Sequence, residues 1–144
     1  MTNATMKKFG HPDTLICDYA DWVVLLRNDQ VTLGSLVVAE KSAATSLSAV
    51  APHALAELAS IAGDVETAFA RTFRPDKFNY LMLMMVDPNV HFHVLPRYGG
   101  ARECAGVTFE DRAWPKAPGL GKVTPTTPAQ RNVILGLLRD AWPC

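Results

Sequence analysis

Two histidines one residue apart carry the chemistry legible in this sequence. They sit in Asn89-Val90-His91-Phe92-His93-Val94-Leu95-Pro96-Arg97, which alternates polar and apolar as far as Val94. In an extended chain successive side chains point to opposite faces. Asn89, His91 and His93 therefore share one face, and Val90, Phe92 and Val94 share the other. The apolar face is expected to pack on a core. The polar face gathers two of the chain's four histidines on a strand, where a phosphate-handling or metal-binding site would be built.

Three kinds of chemistry fit the pair. An imidazole is a good nucleophile near neutral pH, because its ordinary pKa is about 6.5. Attack on phosphorus leaves a phosphoramidate that water can then cleave. The second imidazole can hydrogen-bond a phosphoryl oxygen and stabilise developing charge, and Asn89 adds an amide donor on the same face. His-x-His is also a two-ligand fragment for zinc, copper, nickel or iron. His11 and His53 are remote, however, and no acidic residue lies at close spacing; Glu103 and Glu110 come only in a later loop. That makes a metal centre the weaker reading. The plain alternative is two hydrogen-bonded polar side chains without chemistry, and for His11 and His53 this reading prevails. Met82, Met84 and Met85 read as core.

The elements that must hold the pair can be read from the flanks. Residues 1 to about 20 look irregular, broken by Gly10 and Pro12. Trp22 to Arg27 and Leu33 to Ala39 are two β-rich runs, joined by the turn-like Asn28-Asp29-Gln30, which predicts an antiparallel pair. Pro52 opens a helix whose Leu55, Leu58, Ala62, Val65, Phe69 and Phe73 recur at helical spacing, and Pro75 ends it. Lys77 to Val86 predicts a third strand, and its run Leu81 to Val86, apolar on both faces, predicts that it is central. Asp87-Pro88 turns the chain into the histidine strand. Residues 99 to 127 are Gly- and Pro-rich and predict a long loop. The sequence leaves it as either a wall of the site that shapes the leaving group or a surface loop anchored by Trp114. Thr127 and Pro128 start a last helix. The order predicts one α+β domain over residues 1–144: an antiparallel sheet, one long helix packed on it and a C-terminal helix.

Composition narrows the partners. The 144 residues are 49% hydrophobic and 19% charged, with a formal net charge of zero. A neutral chain gives no electrostatic footprint for nucleic acid or an anionic membrane. No apolar run reaches the roughly 18 residues of a membrane span, and Lys7-Lys8 is not followed by the apolar stretch of a signal peptide. Cys17, Cys104 and Cys144 form an odd set without metal-ligand spacing, so reduced cysteines and a cytoplasmic location are expected.

His91-Phe92-His93-Val94-Leu95-Pro96-Arg97 after a two-faced strand resembles the histidine triad (HIT) family of nucleotidyl hydrolases and transferases. That family's motif is three histidines separated by single apolar residues, often followed by Pro-Arg. Leu33 to Lys41, the helix at 52–73, Lys77-Phe78-Asn79-Tyr80 and Trp114-Pro115 extend the resemblance over about residues 15–115. It implies that His91, at the middle position, is the nucleophile and that His93 assists the phosphate and leaving group. It implies that Asn89 stands in place of the first histidine, and that Asn28, Asn79 and Arg97 help bind substrate. Met84 or Met85 falls where many members place a polar phosphate contact, and Ala39-Glu40-Lys41-Ser42 replaces a proline-lysine-histidine segment. The resemblance further implies a homodimer with a continuous sheet, a nucleoside phosphoramidate or dinucleoside polyphosphate as substrate, and no metal or other cofactor.

Overall fold

The computed structural model describes residues 2–144. A short helix α1 (Ala4–Lys8) leads into strands β1 (Leu15–Asp18), β2 (Trp22–Leu26) and β3 (Leu36–Glu40). Helix α2 (Pro52–Ala70) follows, then β4 (Lys77–Leu81), β5 (His91–Arg97), the small β6 (Arg102–Cys104) and β7 (Val107–Phe109), and helix α3 (Pro128–Ala141). Five strands form one antiparallel sheet in the order β1-β2-β3-β5-β4. This is the expected α+β arrangement, with the long helix and the C-terminal helix in place.

The period of two along the strands sorts side chains into two layers. Trp22, Val24, Leu36, Val38 and Val94 meet Ile61, Val65 and Phe69 of α2 and Ile134 and Leu138 of α3. Val23, Leu25, Val37 and Ala39 point the other way and are covered by Met6 of α1. β2 and β3 are buried throughout because both faces are covered. Fully burying a side chain such as Phe69 stabilises by about 1.5–3 kcal/mol, and α2 presents Ile61, Val65, Ala68 and Phe69 at helical spacing for this. Gly34, before β3, has φ +85°, and a Cβ there would lie 2.6 Å from Phe69 Cε1. Only glycine combines that left-handed backbone with that close approach. In α3 the Thr127 hydroxyl accepts from Gln130 N, and the Gln130 side chain accepts from Thr127 N. These bonds satisfy two otherwise orphaned donors of the first turn.

Several expectations are corrected. Residues 2–20 are not irregular throughout: Asn3 caps α1, and β1 pairs with β2. The strand from Lys77 ends at Leu81 and forms an edge of the sheet, not its centre. Met84 has φ +54°, which no strand can continue, and Met85 and Val86 are more than four-fifths exposed. Met82 and Met84 pack against the main core, as expected, whereas Met85 stands in the open and is not core. Residues 99–127 are not structureless: β6 and β7 make a hairpin through Ala105-Gly106, both at positive φ as its tight turn requires. Its Cys104 and Phe109 join the core. Cys17 and Cys144 are bonded to each other, and only Cys104 is free among the described residues. The sequence spacing of 127 residues concealed the pairing, because β1 and the end of α3 meet only in the folded chain. The cysteine argument for a cytoplasmic location goes with it. Among the described residues no helix is long and apolar enough to cross a membrane.

Candidate active site

His91 and His93 enter β5 facing the layer that α1 covers, opposite Ala39 and Val37 respectively. Val90 and Val94 point into the main core and are fully buried, as the alternation predicts; Phe92 on the same side is only partly buried, against Trp22. The imidazole rings stand 5.1 Å apart at 82° to each other. Phe9, just past α1, lies 5.8 Å from both rings and leaves the histidines 2% and 6% exposed. They line a cleft of about 250 Å³ whose other walls are Lys8, Phe9, Arg27, Asp29 and the loop Leu83 to Asp87.

The hydrogen bonds set what each ring can do. His91 Nδ1 lies 2.7 Å from the Asn89 carbonyl oxygen. A carbonyl can only accept, so Nδ1 carries the proton and Nε2 is left with its lone pair. That is the form a nucleophilic imidazole needs. His93 is different. Burial, helped by the positive charge of Arg27 and by His91, pushes its pKa down to about 4. It is therefore a neutral imidazole at pH 7, able to donate a hydrogen bond but not to hold a full charge. Its Nδ1 is buried without any partner in the protein, as is Arg27 Nε. Orphaned buried polar atoms are rare and costly. Two of them in one cleft mark a site that a ligand or water completes.

Asn89 is buried but turned away from the cleft. Its Oδ1 accepts from the backbone N and the hydroxyl of Thr5, both at 3.3 Å, and its own N donates to the Thr5 hydroxyl. Its side chain thus ties β5 to α1, and its carbonyl orients His91. Asn3, capping α1, donates to the carbonyls of Glu40 and Ser42, and Lys8 pairs with Asp87 at 2.7 Å. These contacts hold Phe9 over the imidazoles.

The structure does not bring Asn79, Arg97 or Asn28 to the histidines. Arg97 shares their sheet face but lies four residues on, roughly 13 Å along the strand. Its guanidinium is spent within the protein: Nε and Nη2 donate to the two Asp111 carboxylate oxygens, Nη1 to Asn79 Oδ1 and Nη2 to Lys116 O. Asn79 and Arg97 border a different cleft, of about 530 Å³, at the β4 edge beside Trp114. The 99–127 segment therefore packs there and not beside the histidines of its own chain. Asn28 borders a third cleft with Asp13 and Arg131. Sequence reading missed Phe9, Lys8 and Arg27. A usable signal existed for Arg27: it follows Leu25 by two residues and so faces the same way as His93.

Among the described residues no group of three His, Cys, Asp or Glu side chains converges.

A family model described as HIT domain matches residues 8–100. A histidine triad protein from Sinorhizobium meliloti 1021 is similar in structure, with TM-score 0.74 and 19% identity, covering 98% of this chain and 96% of the other. A histidine triad protein from Bradyrhizobium japonicum gives TM-score 0.74 and 20% identity over 99% and 97% of the two chains. A hypothetical histidine triad nucleotide-binding protein from Sulfolobus tokodaii gives 0.66 and 16% over 89% and 82%. No curated protein matches the sequence at a significant level.

Proposed function

The chain belongs to the histidine triad family, and on that footing we propose that it is a nucleotide hydrolase or transferase acting at the α-phosphate through a nucleotidyl-His91 intermediate. The observation that carries this is the His91 Nδ1–Asn89 carbonyl bond, which leaves the lone pair on Nε2 of a residue that lines the cleft. Nε2 bonds to phosphorus as the bond to the leaving group breaks, and the leaving group departs with that electron pair. His93 donates a hydrogen bond to a phosphoryl oxygen as charge develops. Water then attacks the same phosphorus, the P–N bond breaks with its pair returning to Nε2, and the proton lost by the water passes to solvent.

The substrate is a dinucleoside polyphosphate or a nucleoside phosphoramidate. A second reading, a nucleotide binder without turnover, is favoured by one observation: Asn89 is committed to Thr5, so two imidazoles face the cleft without a third polar group from β5. Steady-state hydrolysis of both substrate types by the wild type and by His91→Ala separates the two. Turnover in the wild type that His91→Ala abolishes supports the enzyme; nucleotide binding without turnover supports the binder.

The protein is also proposed to work as a homodimer. β4 is an uncapped edge strand, and Tyr80 on it is 43% exposed. Such an edge invites pairing with a second copy about a two-fold axis. Light scattering at micromolar concentration should give the dimer mass, and a monomer mass would exclude it.

A further inference from the structure

The sheet register places one cation beside the histidines. Leu25, Val37 and His93 form one row across β2, β3 and β5. Arg27 is two residues beyond Leu25, so it shares their face, and its backbone N donates to Ser35 O. By strand spacing its Cα stands roughly 10 Å across and roughly 7 Å along the sheet from His93, and farther from His91. The order along the cleft is therefore His91, His93, Arg27. The other cleft cation, Lys8, is occupied by Asp87. Arg27 forms no ion pair among the described residues; Nη1 donates to the main-chain oxygen of Asp29, and Nε is buried without a partner.

We propose that Arg27 binds the phosphate next to the reacting one, so that the cleft selects substrates whose leaving group is itself a phosphate. This rests on the reading of His91 as nucleophile. A guanidinium is permanently charged and its N–H groups match phosphate oxygens. An acceptor from the ligand would satisfy the orphaned Nε, which the protein leaves unpaired. The position beyond His93 suits a neighbouring group rather than the phosphorus under attack. Leaving-group chemistry agrees. An amine must gain a proton to depart, and neutral His93 has none to spare near pH 7. A phosphate departs as an anion with the electron pair of the broken P–O bond. Arg27 receives that charge, and His91 Nε2 has formed the P–N bond.

The test is calorimetric binding of three probes to the wild type, Arg27→Gln and Arg27→Lys. The probes are adenosine 5′-phosphate, its α,β-methylene diphosphate analogue and adenosine 3′,5′-bisphosphate, with the guanosine equivalents in parallel. The wild type should bind the methylene diphosphate at least tenfold more tightly than the monophosphate. Arg27→Gln should erase that ratio, and Arg27→Lys should keep a large part of it. Equal affinity for mono- and diphosphate, a ratio that survives Arg27→Gln, or a gain confined to the 3′,5′-bisphosphate would overturn the proposal. Binding needs no turnover, which keeps the two readings apart. A tenfold ratio without hydrolysis removes the nucleophile and keeps the phosphate contact, whereas His91-dependent hydrolysis with a flat ratio does the reverse.

Discussion

Two polar regions share one face of β5, and they are built in opposite ways. Around Arg97 each of the three guanidinium nitrogens has a partner, among Asp111, Asn79 and Lys116, and the side chain is 4% exposed. Around His93 the protein leaves Nδ1 and the neighbouring Arg27 Nε without partners, beside an open cleft. A saturated network rigidifies a fold, whereas an unsaturated one is completed by something else. The contrast separates two arginines that look alike in sequence: the Arg97 guanidinium is held by protein partners, Asn79 among them, whereas Arg27 Nε has none among the described residues.

Substitutions at the two ends of β5 should split cleanly. His91→Ala should lower kcat by at least a thousandfold, about 4 kcal/mol of barrier, since the covalent route is lost. It should cost only about 1 kcal/mol of stability, from one hydrogen bond. Arg97→Ala should do the opposite. It leaves Asp111 buried without its cation, which costs about 3–5 kcal/mol in denaturant unfolding. In the folded fraction KM should stay within about twofold of wild type. Parallel losses of activity and stability in both variants would erase the distinction.

Acid should sharpen it further. His93 is held neutral in the folded protein, with a pKa near 4 against 6.5 for the free side chain. Above pH 6.5 neither state binds the proton, and the stability is fully present. Between 6.5 and 4 the unfolded chain takes up a proton that the folded chain refuses, so stability falls as pH falls, by up to about 3 kcal/mol. Below 4 the loss is complete. His93→Asn should flatten this part of the stability-pH curve, and an unchanged slope would place its cause elsewhere. A smaller effect is expected at Asn89. Asn89→Ala leaves the Thr5 backbone N and hydroxyl without their acceptor, costing about 1–3 kcal/mol. It should also loosen α1, read as faster amide exchange at Met6 to Phe9.

The histidine strand was legible because strict alternation over Asn89 to Val94 fixes both register and face. Val90 and Val94 in the core follow directly from it. The long helix was legible from its apolar stripe and flanking prolines. The edge position of β4 was not, because an apolar run such as Leu81 to Val86 suits a buried strand as well as a loop lying over a cleft. Asn89 shows another limit. Alternation set its place beside the histidines, but β5 begins at His91, and the side chain two residues earlier is captured by Thr5, 84 positions away in sequence. The Cys17–Cys144 bond and Phe9 over the imidazoles are equally non-local. Arg27 was within reach of the same period-of-two rule, applied to β2.

The most direct measurement is to mix the protein with α-phosphate-labelled dinucleoside polyphosphate, quench in denaturant at alkaline pH, and map the label by peptide mass spectrometry. The account predicts an acid-labile nucleotidyl group on His91 in the wild type and in the folded fraction of Arg97→Ala, and none in His91→Ala. Label on His93, or hydrolysis without any label on His91, would contradict it.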